Sequence, residues 1–91
     1  MIYSVDIKET AQKDLYFLAM HEPKAFEKAQ SLIKELEEHP KTGTGHPEQL
    51  KGEPKNRWSR RITKKHRLVY EIHDRQVLVL VLAAYGHYDD K

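Results

Sequence analysis

No cysteine occurs among the 91 residues, which excludes disulfides and cysteine-ligated zinc as sources of stability. That absence suits a reducing compartment. Long apolar runs are missing as well: the longest, Val77 to Tyr85, is far too short to cross a bilayer. The opening Met1-Ile2-Tyr3-Ser4-Val5-Asp6 has no basic segment followed by an apolar one, so no secretory signal is expected. Walker motifs, Gly-x-Ser-x-Gly elements and Gly-rich phosphate loops are absent. His21, His39, His46, His66 and His73 show no spacing that makes a metal site. No metal and no cofactor are expected. With 38% hydrophobic and 33% charged residues, the chain reads as one small cytoplasmic domain over 1–91.

Charge is present in quantity but is unevenly placed. The net charge is only +2. Residues 1–38 nevertheless carry eight acids against five lysines, whereas residues 51–67 carry eight Lys/Arg against Glu53 alone. A cationic patch of this density (Lys51, Lys55, Arg57, Arg60, Arg61, Lys64, Lys65 and Arg67) is the footprint expected for a polyanion, or else a solvated basic hairpin.

Ile2 to Val5 reads as a first strand. Asp6 and Glu9 have the spacing of a capping box, and Ala11, Leu15 and Leu18 recur at helical spacing, predicting a helix to about Met20. Pro23 suits the first turn of a second helix. Phe26, Ala29, Ile33 and Leu36 form its apolar stripe, widened by Leu32, and His39-Pro40 ends it. Three of the four prolines and three of the four glycines then fall within 40–56, an extended loop of the kind that often carries function.

Two antiparallel strands follow. Trp58, Arg60 and Ile62 share one face while Ser59, Arg61 and Thr63 share the other, and Thr63-Lys64-Lys65 turns the chain. Leu68, Tyr70 and Ile72 alternate with Arg67, Val69 and Glu71. After a turn at His73-Asp74-Arg75-Gln76, Val77 to Ala84 is apolar throughout, as in a central strand covered on both faces. The fold class is α+β: two N-terminal helices on one face of a mainly antiparallel twisted sheet, in the order β-α-α-β-β-β. The other face carries arginines.

Metal-free RNA cleavage needs a base for the ribose 2′-OH, cations for the charged phosphorane and an acid for the departing 5′-oxygen. Glu48 in the long loop is the best-placed base, although an ordinary exposed glutamate looks the same. Arg61 and Arg67 either face a phosphate from adjacent strands or pair with Glu48 and Glu71. His87 is a candidate acid in a cationic setting, although most lone histidines are surface residues. Tyr88 either stacks on a base or packs on the core. Trp58 reads as core. A free-standing DNA-binding protein is disfavoured because neither helix is basic.

Three linked segments carry a family resemblance: Gly43-Thr44-Gly45-His46-Pro47-Glu48-Gln49-Leu50-Lys51, Trp58-Ser59-Arg60-Arg61-Ile62-Thr63 and His66-Arg67-Leu68-Val69-Tyr70. Together with a terminal His87-Tyr88, they closely resemble the YoeB/Txe branch of the RelE superfamily. That branch commonly ends at His-Tyr, whereas Asp89-Asp90-Lys91 follows here.

The resemblance implies a RelE-like fold and a toxin of a type II toxin–antitoxin pair, an endoribonuclease cutting mRNA in the ribosomal A site. It implies Glu48 as general base, Arg67 as the main phosphate-stabilising cation, His87 as general acid and Tyr88 as its functional neighbour. Lys51 and Arg61 are implied as RNA contacts, and the basic patch adds Arg60, Lys64 and Lys65. The implied partners are mRNA with 16S rRNA and ribosomal proteins, and a Phd/YefM-type antitoxin whose disordered C-terminal segment folds over the toxin. A homodimer is a further implied partner, operator DNA is reached only through the antitoxin, and no membrane is involved. The alternative is a non-catalytic RelE-fold binding module with another target or a co-repressor role.

Overall fold

The computed structural model describes residues 2–52 and 54–86. Strand β1 (Ser4–Ile7) leads into helices α1 (Glu9–His21) and α2 (Pro23–Leu36). Strands β2 (Glu48–Gln49), β3 (Arg57–Arg61), β4 (Arg67–His73) and β5 (Leu78–Ala83) complete the chain order, with a 3₁₀ turn over Asp74–Gln76. The five strands lie in the order β1-β5-β4-β3-β2. Only β1 and β5 run parallel, and the other three pairings are antiparallel. This is the expected α+β architecture, enlarged by the two-residue β2 at the sheet edge. Pro47 lies just before β2, and an edge strand this short gives no alternating sequence signal.

The core lies between the helices and one sheet face. Ala11 and Leu18 of α1 and Ala25, Ala29, Leu32 and Leu36 of α2 are buried against Leu68, Tyr70, Ile72, Val79 and Val81. Trp58 packs on this cluster, as expected. Phe26 and Ile33 sit at the rim of the α2 stripe, half-buried rather than central. Pro23 occupies the first turn of α2, where its missing N–H costs nothing.

Four expectations shift, the first being β1, read over Ile2 to Val5 but formed by Ser4–Ile7. The Asp6–Glu9 capping box does not form: Lys8 is the N-cap residue and no side chain caps α1. The β1–β5 ladder takes precedence, since Asp6 pairs with Leu80 and the Lys8 N–H still bonds the Val81 carbonyl at 2.9 Å. Helix α2 stops at Leu36, short of His39, as the Glu38 and His39 amides fold back onto the Glu35 carbonyl. Strand β5 is central, but it is sealed on one face only. Val79 and Val81 are buried against the helices, whereas Leu78, Leu80 and Leu82 are half-buried on the opposite face.

Candidate active site

The face of the sheet turned away from the helices is set by strand register. Arg61 pairs with Arg67 and Ser59 with Val69 across β3–β4, while Glu48 pairs with Ser59 across β2–β3. Directly paired residues and residues two apart share a face. Glu48, Arg61 and Arg67 are therefore neighbours on one face, spread over three strands about 10 Å across. The β2–β3 ladder continues past Glu48, because the Arg61 N–H bonds the Gly45 carbonyl at 2.6 Å.

Glu48 and Arg61 are exposed and Arg67 is half-buried. Neither arginine has an ion-pair partner among the described residues. Glu71 is taken by Arg57, whose Nε and Nη2 lie 3.2 and 2.5 Å from Oε2. Those bonds hold the Glu71 carboxyl below the usual range against its partial burial, helped by His73. Two guanidinium groups without an ion-pair partner among the described residues, on the same face as the Glu48 carboxylate, suit an extended polyanion.

Ser59 lies between the charged side chains and is fully buried, and its Oγ has no hydrogen-bond partner among the described residues. Lys51, Lys64 and Lys65 are exposed, and Lys65 Nζ lies 4.0 Å from Glu22 Oε2 at the α1–α2 junction. The groove lined by Ile7, Leu15, Phe26 and Ile33 opens on the helical side of the molecule, away from these cations. His87 and Tyr88 lie outside the described residues. The last described residue, Gly86, is joined to the site: its carbonyl accepts the Arg67 N–H at 3.0 Å.

Arg60 is a correction. It is expected among the RNA-contacting cations, yet it has no exposed surface. In the alternation of β3 it falls on the inward face, opposite Leu68. Its guanidinium binds the Glu35 carboxylate, the carbonyls of His39, Thr42 and Thr44, and the Tyr70 hydroxyl. Tyr70 donates its own O–H to the Pro40 carbonyl at 2.9 Å. Burial works against the Glu35 charge, but hydrogen bonds from Thr44 and Arg60 outweigh it and hold that carboxyl below the usual range.

Arg60 is thus the hub that ties the loop after α2 to the sheet. That loop leads into β2 and Glu48. Gly43 is part of the hub: its φ is +113°, and a Cβ there would run into the Glu35 carboxylate. Charge counting groups Arg60 with its neighbours, whereas strand parity with Trp58 and Ile62 is the signal that separates it.

A third buried polar residue had no functional reading in the sequence. His66 is 3% exposed. Its Nε2 lies 3.0 Å from Glu22 Oε2, and its Nδ1 accepts the Gly86 N–H at 2.8 Å.

Known proteins share this fold and much of this sequence. The family model for the YoeB-like toxin of bacterial type II toxin–antitoxin systems matches residues 7–88. Toxin YoeB of Streptomyces coelicolor is 42% identical over 76 residues, covering 84% of this chain and 88% of that protein. The YoeB/ParE toxin from Agrobacterium tumefaciens superposes with a TM-score of 0.85 at 32% identity, covering 93% of this chain and 99% of that one. YoeB of Staphylococcus aureus, 27% identical and covering 97% of this chain and 100% of that one, is solved as a dimer (TM-score 0.82). It is also solved in a heterotetrameric complex with the antitoxin YefM (TM-score 0.78). The chain belongs to the YoeB-like toxins of bacterial type II toxin–antitoxin systems.

Proposed function

We propose that this toxin is a ribosome-dependent mRNA endonuclease that works in the cytoplasm by acid–base catalysis, with neither metal nor cofactor. The observation that carries the reading is the shared face of Glu48, Arg61 and Arg67, with both arginines unpaired by any described carboxylate. Glu48 takes the proton from the ribose 2′-OH. The 2′-oxygen attacks the adjacent phosphorus, and Arg67, supported by Arg61, balances the added charge of the phosphorane. His87 delivers a proton to the 5′-oxygen as its bond to phosphorus breaks, with Tyr88 alongside. The products are a 2′,3′-cyclic phosphate and a 5′-hydroxyl.

Lys51, Lys64 and Lys65 add sequence-independent attraction to mRNA and to 16S rRNA beside ribosomal proteins. The partner that silences the toxin is a Phd/YefM-type antitoxin whose acidic, initially disordered segment covers Arg61, Arg67 and His87. The YoeB–YefM complex of S. aureus supports that pairing. Operator DNA is reached only through the antitoxin. A homodimer is consistent with the S. aureus dimer.

The test is purified toxin added to ribosomes programmed with a defined mRNA, without antitoxin. Cleavage confined to ribosome-bound message is expected. Intact message on the ribosome overturns the reading.

A further inference from the structure

We infer that His66 is a positioning residue for catalysis, fixing the chain at Gly86, the residue to which His87 is joined. The inference rests on the reading of His87 as general acid. The Gly86 amide can only donate, so its 2.8 Å bond to Nδ1 requires that nitrogen to be unprotonated. The ring proton then sits on Nε2 and is donated to Glu22 Oε2 at 3.0 Å. That bond holds the Glu22 carboxyl below its usual range. One tautomer satisfies both partners.

The imidazole also has an aromatic neighbour. The Tyr85 ring lies 4.6 Å from it, centroid to centroid, and the Phe17 ring meets Tyr85 edge-on at 5.0 Å. Thr63 Oγ1 accepts the N–H groups of Lys65 and His66, both at 3.1 Å, which sets the backbone that carries the ring. The segment before His87 has further anchors. Ala84 donates its N–H to Asp14 of α1 at 3.0 Å, and the Gly86 carbonyl accepts from Arg67 at 3.0 Å. Gly86 itself turns the chain at φ +74°, a conformation that costs glycine nothing.

His66 and Arg67 are thus consecutive residues that grip the two polar groups of Gly86. The cation proposed to hold the phosphate and the peptide leading to the proposed acid are referenced to each other through one residue. An apolar side chain would fill the same space. A directional acceptor makes sense where the exit direction of the chain matters, because catalytic groups tolerate errors of only about 0.5 Å.

Two variants separate positioning from packing. His66→Gln retains a donor near the Nε2 position for Glu22 but no acceptor for Gly86. His66→Asn retains an acceptor near the Nδ1 position but no donor that reaches Glu22. Single-turnover cleavage on saturating programmed ribosomes, ribosome affinity, urea stability and hydrogen exchange at the Gly86 amide are measured for each. His66→Gln is expected to cleave roughly 10²-fold more slowly, with unchanged ribosome affinity and faster Gly86 exchange. His66→Asn is expected to recover most of the rate and the Gly86 protection.

Loss of rate that follows stability equally in both variants overturns the inference, as does unchanged Gly86 exchange in His66→Gln. If the unmodified toxin leaves mRNA intact, the reading of His87 fails. The Gly86 exchange then decides the anchoring on its own.

Discussion

Replacing Arg60 by Met tests whether the most buried cation of this toxin is structural. The substitution keeps length and apolar stem but removes five hydrogen bonds, to Glu35, Tyr70 and the carbonyls of His39, Thr42 and Thr44. Removing one member of a buried ion pair costs about 3–5 kcal/mol. Compensation here is partial: the Glu35 side chain is 29% exposed, so water reaches it, and Thr44 still donates two hydrogen bonds at 2.8 Å. A loss of about 4 kcal/mol is set against a typical domain stability of roughly 5–15 kcal/mol. At about 4–8 °C per kcal/mol for a domain of this size, the midpoint of thermal unfolding should fall by roughly 15–30 °C.

Urea unfolding is the assay of choice, because guanidinium chloride would screen the ion pair. The midpoint should drop with the slope unchanged. Arg60→Lys should lose more than half as much, since one ammonium cannot span partners arranged around a planar guanidinium. Arg61→Ala, one residue along but exposed, should change stability by no more than about 0.5 kcal/mol. A variant Arg60→Met within about 1 kcal/mol of the parent would refute the hub, because the retained solvation of Glu35 cannot offset five lost bonds.

Other outcomes follow from the site and its surroundings. His87→Gln should slow single-turnover cleavage by ~10²–10⁴-fold while ribosome affinity stays unchanged, whereas Arg67→Ala should damage both, since the proposed role has that cation act in the ground state and the transition state. Glu22, Glu35, Glu71 and Asp74 all have carboxyls held below their usual range by hydrogen bonds and cations. A depressed folded-state value gives stability that is complete above the ordinary range and is lost on acidification, so urea midpoints should fall from about pH 4 downward. Arg60→Met should lose less on acidification than the parent, because Arg60 contributes to the Glu35 shift. Ser59→Ala should be neutral or stabilising by up to about 1 kcal/mol in the same urea assay, because the buried hydroxyl it removes has no partner among the described residues.

Much of the architecture is visible in residue order. Helical spacing in Ala11, Leu15 and Leu18, Pro23 at a first turn, and the alternation through β3 and β4 each follow from local chemistry that the tertiary structure leaves intact. Local signals fail where a distant partner competes for the same group. Asp6 has the position of a cap, yet β1 extends through it because the β5 backbone offers a full ladder. Arg60 resembles the other cations in composition, but its partner Glu35 comes 25 residues earlier on α2. His66 contacts a carboxylate 44 residues away, so nothing in its own neighbourhood signals burial. The two-residue β2 escapes any periodicity argument, although its register brings Glu48 onto the arginine face.

The chemistry of the cut ends tests the central claim most directly. Programmed ribosomes carry an mRNA with a single cleavage site, in one preparation with ribose and in the other with a 2′-deoxy sugar at the nucleotide on the 5′ side of the cut. Expected with ribose are an upstream fragment ending in a 2′,3′-cyclic phosphate, or the 3′-phosphate formed by its hydrolysis, and a downstream fragment beginning with a 5′-hydroxyl. The 2′-deoxy message should remain intact. Cleavage of the 2′-deoxy message, or a downstream 5′-phosphate, would contradict attack by the 2′-oxygen and with it the roles given to Glu48 and His87.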